Sequence, residues 1–354
     1  MQELPLLYTG TPVLPTRIDT IETLEDLLSE PTSGLLEATR GRTGDLIVLG
    51  AGGKMGPTLA RMARRAADAA GITRRVIAVS RFQSPTARQR LAAVGVETIA
   101  CDLLDDDAVG RLPDATDIVY MAGMKFGATG QAALTWAENC LIPASVCRRY
   151  RSSRLVAFST GNVYPLVPAG HGSREEDPPG PAGEYAMSCL GRERIFEYFS
   201  SRASTPVTLL RLNYACELRY GVLVDLARRV WTGEPVDLTT GYFNVIWQGD
   251  ANAMSLMALT CATVPPQVLN VTGPEELRVR AVTEELARRM DKRVTFTGVE
   301  ADDALLSDAS RAASRTVRPR VDARQLIEWI AEWTMRGGDT LGKATKFEVR
   351  DGRF

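Results

Sequence analysis

The sequence predicts an α/β protein with a doubly wound parallel sheet and a smaller C-terminal lobe. From residue 45 onward, short apolar runs rich in Val, Ile and Leu alternate with helical stretches. Such runs suit strands that are buried on both faces of a parallel sheet. A glycine-rich turn follows the first run, and strict alternation of strands with helices is typical of the doubly wound class.

The predicted elements follow one another regularly up to residue 212. Strands are expected at 45–50, 75–80, 96–101, 117–123, 154–160 and 206–212. Helices are expected at 55–69, 128–149 and 185–202, and a loop rich in Pro and Gly spans 165–184. Beyond residue 212, segments 244–260 and 267–273 are expected to add to the sheet, while 273–337 is mostly helical.

Residues 1–43 form an extension ahead of the first strand. Its stretch DTIETLEDLLSE has the apolar spacing of a short helix that ends near Pro31. Asp19 and Glu22 are the predicted capping box of that helix. At the other end of the sequence, the polar stretch from residue 342 permits no structural prediction.

The composition indicates an ordinary globular protein. The 354 residues carry a formal net charge of -1, which argues against partners such as nucleic acid or an anionic membrane. No apolar run approaches the roughly 20 residues of a spanning helix, and the N-terminus lacks a signal-peptide pattern, so a cytoplasmic protein is expected. The six cysteines contain no C-x-x-C pair and His171 is the only histidine, which argues against a metal site or a His-based triad.

The glycine-rich turn LGAGGKMG follows the first strand and opens the next helix. Gly50, Gly53 and Gly56 permit a tight turn, close approach to a pyrophosphate and close helix–strand packing. The helix N-terminus, reached through Lys54 and Met55, adds free N–H donors for a phosphate. The alternative is an ordinary structural turn. A strand precedes this turn, a helix follows it, and strands continue to alternate with helices afterwards. We therefore predict a dinucleotide-binding site in a Rossmann-type domain.

The end of the second strand bears on the choice of cofactor. An NAD site usually has an acidic residue here for the ribose 2′-OH, whereas this sequence has Ser80 and Arg81, with Lys54 in the glycine-rich turn. A hydroxyl and two cations suit a 2′-phosphate, so NADP is favoured over NAD. Alternatively, both cations are solvated surface groups. Asp102, with Leu103 beside it, ends the third strand and either accepts from the adenine amino group or caps the following helix.

Six landmarks now stand in a recognisable order. They are GAGGKMG, CDL, YMAG, AENCLIPASV, VAFSTGNVY with Tyr185 and Glu193 downstream, and LLRLNYA. In this order and spacing, residues 45–275 resemble the extended short-chain dehydrogenase/reductases, the NAD-dependent epimerase/dehydratase family. The resemblance implies a catalytic pair of Thr160 and Tyr185. It also places a set of residues at the cofactor, namely Ala122, Gly123, Asn139 and Asn213.

The resemblance breaks at Cys189, which stands where the family has a lysine four residues after the tyrosine. Residues i and i+4 share a helix face, and a cation there favours tyrosinate. One cation at about 4–6 Å in an effective dielectric near 20 is worth about 3–4 kcal/mol, or 2–3 pKa units. A neutral thiol supplies none of this electrostatic stabilisation of tyrosinate. Cys189 itself is either a nucleophile or, more simply, a buried packing cysteine.

Two other cations are candidate substitutes for that lysine. Lys125 follows the fourth strand at the carboxyl edge, where ligands bind in such folds, and either approaches the substrate or is a surface lysine. Arg192 shares the face of Tyr185 but lies two turns away, about 10 Å, and is predicted to be too far.

These observations leave two hypotheses for function. The first is an NADP- or NAD-dependent oxidoreductase or epimerase with an atypical site, acting on a small hydroxyl or carbonyl substrate that includes sugar-derived compounds. The second is a nucleotide-binding sensor that has lost turnover. The expected domains are 44–214 with 241–272 for the cofactor, and 215–240 with 273–354 for the substrate and the tail. By analogy with the family, a homodimer through helices 128–149 and 185–202 is expected.

Overall fold

The computed structural model describes residues 14–82, 85–125 and 130–353, and it is built on strands and helices with the following bounds. The strands are β1 Leu46–Leu49, β2 Val76–Ser80, β3 Glu97–Ala100, β4 Asp117–Tyr120, β5 Arg154–Thr160, β6 Val167–Pro168, β7 Val207–Leu212, β8 Ala215–Cys216, β9 Val236–Asp237, β10 Tyr242–Phe243, β11 Ile246–Trp247, β12 Gln267–Val271, β13 Leu277–Arg278, β14 Phe296–Thr297 and β15 Asp303–Ala304. The helices are α1 Ile21–Leu28, α2 Ser33–Thr39, α3 Gly56–Ala69, α4 Pro85–Ala93, α5 Asp106–Gly110, α6 Ala132–Trp136, α7 Ile142–Arg149, α8 Gly183–Ala203, α9 Val222–Thr232, α10 Gln248–Met257, α11 Val279–Arg289, α12 Ser310–Arg315 and α13 Ala323–Met335. A π-helical turn, Ala137–Leu141, joins α6 to α7.

The centre of the protein is a seven-stranded parallel sheet. Its strand order is β12-β7-β5-β4-β1-β2-β3, and every neighbouring pair is parallel. The order reverses between β1 and β4, so a crevice opens at the carboxyl ends of these strands. All six predicted strands lie in this sheet, and the predicted segment 267–273 supplies β12. The predicted doubly wound α/β class is confirmed.

Each face of the sheet is covered by helices because its strands are apolar on both sides. Residues of α2, α3 and α10 pack on one face, with Leu59, Met62 and Met254 in the shared core. Residues of α7 and α8 pack on the other face, where Val146 and Phe196 are fully buried. Burial of both faces explains why the strands have no polar alternation.

The C-terminal lobe has a separate core formed mainly by α9, α11 and α13. Leu226, Leu286 and Ile330 are fully buried in it. The N-terminal extension belongs to both cores, since Leu24 of α1 packs into the lobe while Leu35 of α2 packs against the sheet. The proposed domain boundaries themselves stay a prediction.

Two local expectations were wrong. The first helix is capped by Thr20, whose side chain accepts from the Thr23 N–H at 3.1 Å, rather than by Asp19. Segment 244–260 forms only the short strand β11 before it becomes α10. The predicted helix 128–149 begins at Ala132, and its first two residues lie outside the described residues.

In the part of the chain that the structure describes, no helix has the length and apolarity to cross a bilayer.

Candidate active site

The glycine-rich turn connects β1 to α3 at the carboxyl edge of the sheet. Gly50 has φ +86, and a Cβ on it would lie 2.6 Å from the Ala122 nitrogen, so the turn touches the loop after β4. A Cβ on Gly56 would collide with Ala51. Gly53 is different, because it is exposed and its nearest neighbour would be the Gly50 oxygen at 3.6 Å. The turn is therefore tightly packed at both ends and open at Gly53.

Lys54 does not lie where a 2′-phosphate contact needs it. Its Nζ stands 3.3 Å from the centroid of the Tyr220 ring, in the C-terminal lobe. Burial lowers the pKa of Lys54 to about 7, and the charges of Lys343 and Lys125 lower it further while Asp225 raises it. The expectation that Lys54 joins Arg81 is corrected: a cation–π contact holds it on the side of the lobe.

The end of β2 carries the other groups proposed for cofactor choice. Ser80 lies against the turn, since a Cβ on Gly52 would approach its Oγ to 2.5 Å. Arg81 is more than half exposed and lies 3.5 Å from the Glu138 carboxylate. Asp102 is exposed and accepts from the Leu104 N–H at 3.1 Å, while Asp105 caps α5 in its place. Leu103, beside Asp102, is buried.

Asn139, fully buried in the π-helical turn, holds the loop after β4 in place. Its Oδ1 accepts from the Met124 N–H at 3.0 Å, and its Nδ2 donates to the Met124 carbonyl at 3.2 Å and to Ser188 Oγ at 2.8 Å. Gly123, with φ +154, leaves room for the Arg192 side chain beneath it. Asn139 thus links the loop that carries Lys125 to α8, which carries Tyr185.

Tyr185, Thr160 and Cys189 come together at the start of α8. The Thr160 and Cys189 side chains lie near the Tyr185 hydroxyl and both act on its pKa. Thr160 ends β5 and is fixed by Asn162, whose N–H donates to Thr160 Oγ1 at 3.2 Å. Cys189 is fully buried and packs among Val163, Tyr164 and Leu305. Burial raises the pKa of this thiol, so it lacks the properties of a free nucleophile.

The protonated form of Tyr185 is favoured. Burial raises its pKa above the ordinary tyrosine value, and the charge of an ionised Cys189 would raise it further. The Arg192 guanidinium and the Thr160 hydrogen bond act in the opposite direction. Tyr185 is therefore a hydrogen-bond donor and proton source at neutral pH, and a base only in alkaline solution.

Two cations border Tyr185. Lys125 Nζ lies 5.6 Å from the centroid of the Tyr185 ring, and burial lowers the pKa of this amine to about 8. Arg192 is buried below, where it donates to the Phe158 carbonyl at 2.9 Å and to Asn139 Oδ1. The charge of Arg192 acts to lower the pKa of Tyr185, so Arg192 is a second candidate for its electrostatic support beside Lys125.

Glu193, one of the landmarks, lies in a structural network away from the reacting edge. It is fully buried and pairs through both oxygens with Arg211 of β7, at 3.0 and 2.7 Å. Arg211 also donates to the Tyr164 hydroxyl at 2.7 Å. Asn213, two residues on, donates from Nδ2 to the Leu305 carbonyl at 3.1 Å and so fixes the C-terminal lobe against β7.

Comparison with known proteins agrees with this geometry. The sequence profile of the NAD dependent epimerase/dehydratase family matches residues 46–234. The chain belongs to this family. The membership confirms the resemblance seen in the sequence. No curated protein sequence matches the chain.

The epimerase/dehydratase fold is also shared with solved structures of low sequence identity. A UDP-glucuronic acid 4-epimerase from Bacillus cereus, solved with UDP-glucuronic acid and NAD, has TM-score 0.69 and 17% identity over 83% of this chain and 99% of that one. A UDP-glucose 4-epimerase from Thermus thermophilus, solved with NAD, has TM-score 0.67 and 21% identity over 83% and 99% of the two chains. Both structures establish the likeness of fold.

The residues present fit the dinucleotide that the family name implies. The open position at Gly53 leaves a cradle that any larger side chain would fill. The N-terminus of the 14-residue helix α3 faces this turn and has no side-chain cap, so its N–H groups suit a phosphate. Thr160 and Tyr185 lie at the same edge of the sheet as this turn.

Proposed function

We propose that this chain is an NAD(P)-dependent oxidoreductase or epimerase that acts on a hydroxyl or carbonyl group. The observation that carries the proposal is that Thr160 and Tyr185 lie near each other at the sheet edge that also holds the open glycine-rich turn. Sugar nucleotides are the first substrate class to test, because similar folds were solved with UDP-sugars. Turnover is supported by the preserved acid–base pair, which a pure sensor does not need.

In this proposal the cofactor supplies a hydride acceptor or donor, and the protein handles the proton. Tyr185 donates its proton to a carbonyl oxygen during reduction, and Thr160 holds that oxygen by a hydrogen bond. Because the pKa of Tyr185 is raised, reduction is favoured at neutral pH and oxidation of a hydroxyl needs alkaline conditions. Asn139 and Ser188 hold the loop after β4, which carries Lys125, against α8, which carries Tyr185.

Lys125 is the proposed replacement for the lysine that is missing at position 189. Its Nζ lies 5.6 Å from the centroid of the Tyr185 ring. A cation at about 4–6 Å from a tyrosinate oxygen is worth about 3–4 kcal/mol in an effective dielectric near 20, and less where water screens it. Lys125→Met is therefore expected to slow hydroxyl oxidation at pH 7.5 by about tenfold or more and to move the alkaline limb of the rate profile upward by about one unit.

The matched control for this prediction is Lys125→Arg, which keeps the charge and should retain most of the rate. Rates are compared at saturating cofactor, with affinity measured separately, so that a loss of binding is not mistaken for a loss of tyrosine activation. An unchanged profile in Lys125→Met would assign the electrostatic support of Tyr185 to Arg192 alone.

NADP preference is proposed on the basis of Ser80 and Arg81, without Lys54. The native protein should bind NADPH more tightly than NADH, and the difference should shrink with added salt because Arg81 is exposed. Arg81→Glu should abolish the difference or reverse it in calorimetric titrations. Arg90→Glu, the same charge change at an exposed residue of α4, is the control and should change little. Equal native affinities that Arg81→Glu leaves unaltered would refute the assignment.

The experiment that tests the proposed activity begins with mass spectrometry of the nucleotide that copurifies with the protein. The protein is then mixed with a panel of UDP-sugars and simple carbonyl compounds, and the absorbance of the reduced nicotinamide and the product epimers are followed. A redox change or a new epimer is the expected result. Tight nucleotide binding without turnover of any compound would favour the sensor, which the loss of the lysine at position 189 already suggests.

A homodimer is proposed through α6, α7 and α8. Helices α6 and α8 and the π-helical turn before α7 carry apolar side chains that face solvent, namely Leu134, Leu141, Met187 and Tyr198. Apolar surface of this kind on neighbouring helices is typical of an interface. Light scattering at micromolar concentration should give the mass of two chains, and the mass of one chain would contradict the proposal.

A further inference from the structure

The polar end of the chain, from which the sequence permitted no prediction, is firmly attached to the C-terminal lobe. We call residues 339–353 the C-terminal strap. The Leu341 N–H donates to the Arg219 carbonyl at 3.0 Å, and the Thr345 N–H donates to the Asp225 carboxylate at 2.8 Å. Phe347 is 2% exposed within the lobe core. The strap is thus fixed at several successive points.

The end of the strap reaches the helix that carries Tyr185. Gly183 and Gly352 have φ values of +78 and +76 and pack backbone against backbone. A Cβ on Gly183 would lie 2.7 Å from the Gly352 oxygen, and one on Gly352 would collide with Ala182. This contact requires glycine at both positions, and it lies two residues before Tyr185.

The first half of the strap brings Lys343 toward the glycine-rich turn. Lys343 lies between the two anchors at Leu341 and Thr345. This part of the strap lies beside Lys54 of the turn, because Lys54 Nζ stands 3.3 Å from the centroid of the Tyr220 ring and the strap binds the carbonyl of Arg219, the residue before Tyr220. The charge of Lys343 accordingly acts to lower the pKa of Lys54. The other charges that act on Lys54 are Lys125 from the loop after β4 and Asp225 from α9. Cations therefore outnumber anions among these charges, between the glycine-rich turn and the C-terminal lobe.

A diphosphate is the group that this charge distribution suits. A pyrophosphate bound at the backbone of the turn would have Lys54 and Lys343 on its lobe side. An anion there would offset the repulsion between the two lysines, which adds to the larger effect of burial in lowering the pKa of Lys54. Charge-assisted contacts of an ammonium with a phosphate are among the stronger hydrogen bonds in proteins.

We propose that the C-terminal strap is a clamp for the dinucleotide, in which Lys343 and Lys54 bind its diphosphate from the side of the lobe. Binding of the dinucleotide and docking of the strap then stabilise each other, and the Gly183–Gly352 contact transmits the docked state to the start of α8. The proposal rests on the cofactor binding of the proposed function, but it assigns a role to residues of this chain alone.

Calorimetry with ADP-ribose and with adenosine tests the clamp without requiring activity. Lys343→Gln should weaken ADP-ribose binding by about tenfold and leave adenosine binding unchanged, because only ADP-ribose carries the diphosphate. Lys346→Gln is the matched control, since Lys346 is an exposed lysine of the same strap, and it should bind both ligands as the native protein does.

Amide hydrogen exchange supplies a second readout. ADP-ribose should slow exchange of the amides at 341–345 in the native protein, and Gly352→Val should accelerate it and weaken ADP-ribose binding several-fold. Equal ADP-ribose affinities for Lys343→Gln and Lys346→Gln, or strap exchange that ADP-ribose does not alter, would overturn the clamp while leaving cofactor binding intact. A native protein that binds neither ADP-ribose nor NAD(P)H would overturn the proposed function together with the clamp.

Discussion

Gly53→Val is expected to fold normally and to lose the binding of both NADH and NADPH. The valine would meet only ordinary packing inside the protein, since the nearest atom to a Cβ is 3.6 Å away. Its branched side chain would instead fill the open side of the glycine-rich turn, where the pyrophosphate approaches the backbone. Calorimetric titration should show a loss of at least about a hundredfold in affinity, which is about 3 kcal/mol.

The neighbouring glycines show why Gly53 is the informative position. Substitution of Gly50 or Gly56 would force contacts with Ala122 or Ala51 and would disturb the fold itself. Gly110→Val is the matched control, because Gly110 also has free space around it and no positive φ. Thermal unfolding of both valine variants should stay close to that of the native protein. If Gly53→Val binds NADH as tightly as the native protein, the glycine-rich turn has a structural role only and does not bind the pyrophosphate.

Tyr185→Phe is expected to remove hydride transfer while preserving nucleotide affinity. The change deletes the hydroxyl that lies near Thr160 and Cys189 and keeps the ring packed at the edge of the small apolar cluster around Cys189. Loss of a general acid or base slows a reaction by about 10²–10⁴-fold. Single-turnover absorbance of the nicotinamide, measured after saturation with cofactor, gives the rate.

The hydride-transfer rate of Thr160→Val is the comparison for that of Tyr185→Phe. Thr160→Val should slow transfer less than Tyr185→Phe does, since Thr160 positions the substrate oxygen and supports Tyr185 without exchanging the proton. Equal rates in the native protein and Tyr185→Phe would show that another group moves the proton, and the site would have to be reassigned.

The sheet could be predicted closely because each of its strands is a short apolar run that can be recognised in the sequence. Segments such as 117–123 and 154–160 are apolar on both faces, and the structure buries both faces of β4 and β5. Segment 244–260 was harder to interpret, since α10 is buried nearly all round and its polar residues, such as Asp250 and Asn252, are hydrogen-bonded inside the protein. The segment therefore lacks the separate polar and apolar faces by which an amphipathic helix is recognised.

The candidate site was predicted mainly from the family resemblance, which supplied Thr160 and Tyr185, and the structure places these two residues near each other. Lys54 was expected beside Arg81, whereas the direction of its side chain depends on Tyr220, which is remote in the sequence. No local pattern marks Lys343, whose position depends on anchors in the lobe.

The pH dependence of hydroxyl oxidation by the native, cofactor-saturated protein tests the central claim most directly. A tyrosine whose pKa is raised is mostly protonated, so the single-turnover rate should climb by about tenfold per pH unit between about pH 6 and 9. The reverse reduction should remain fast at neutral pH. An oxidation rate that is flat or falls over this range, with nucleotide bound throughout, would contradict the account of Tyr185 as the buried, protonated acid of the site.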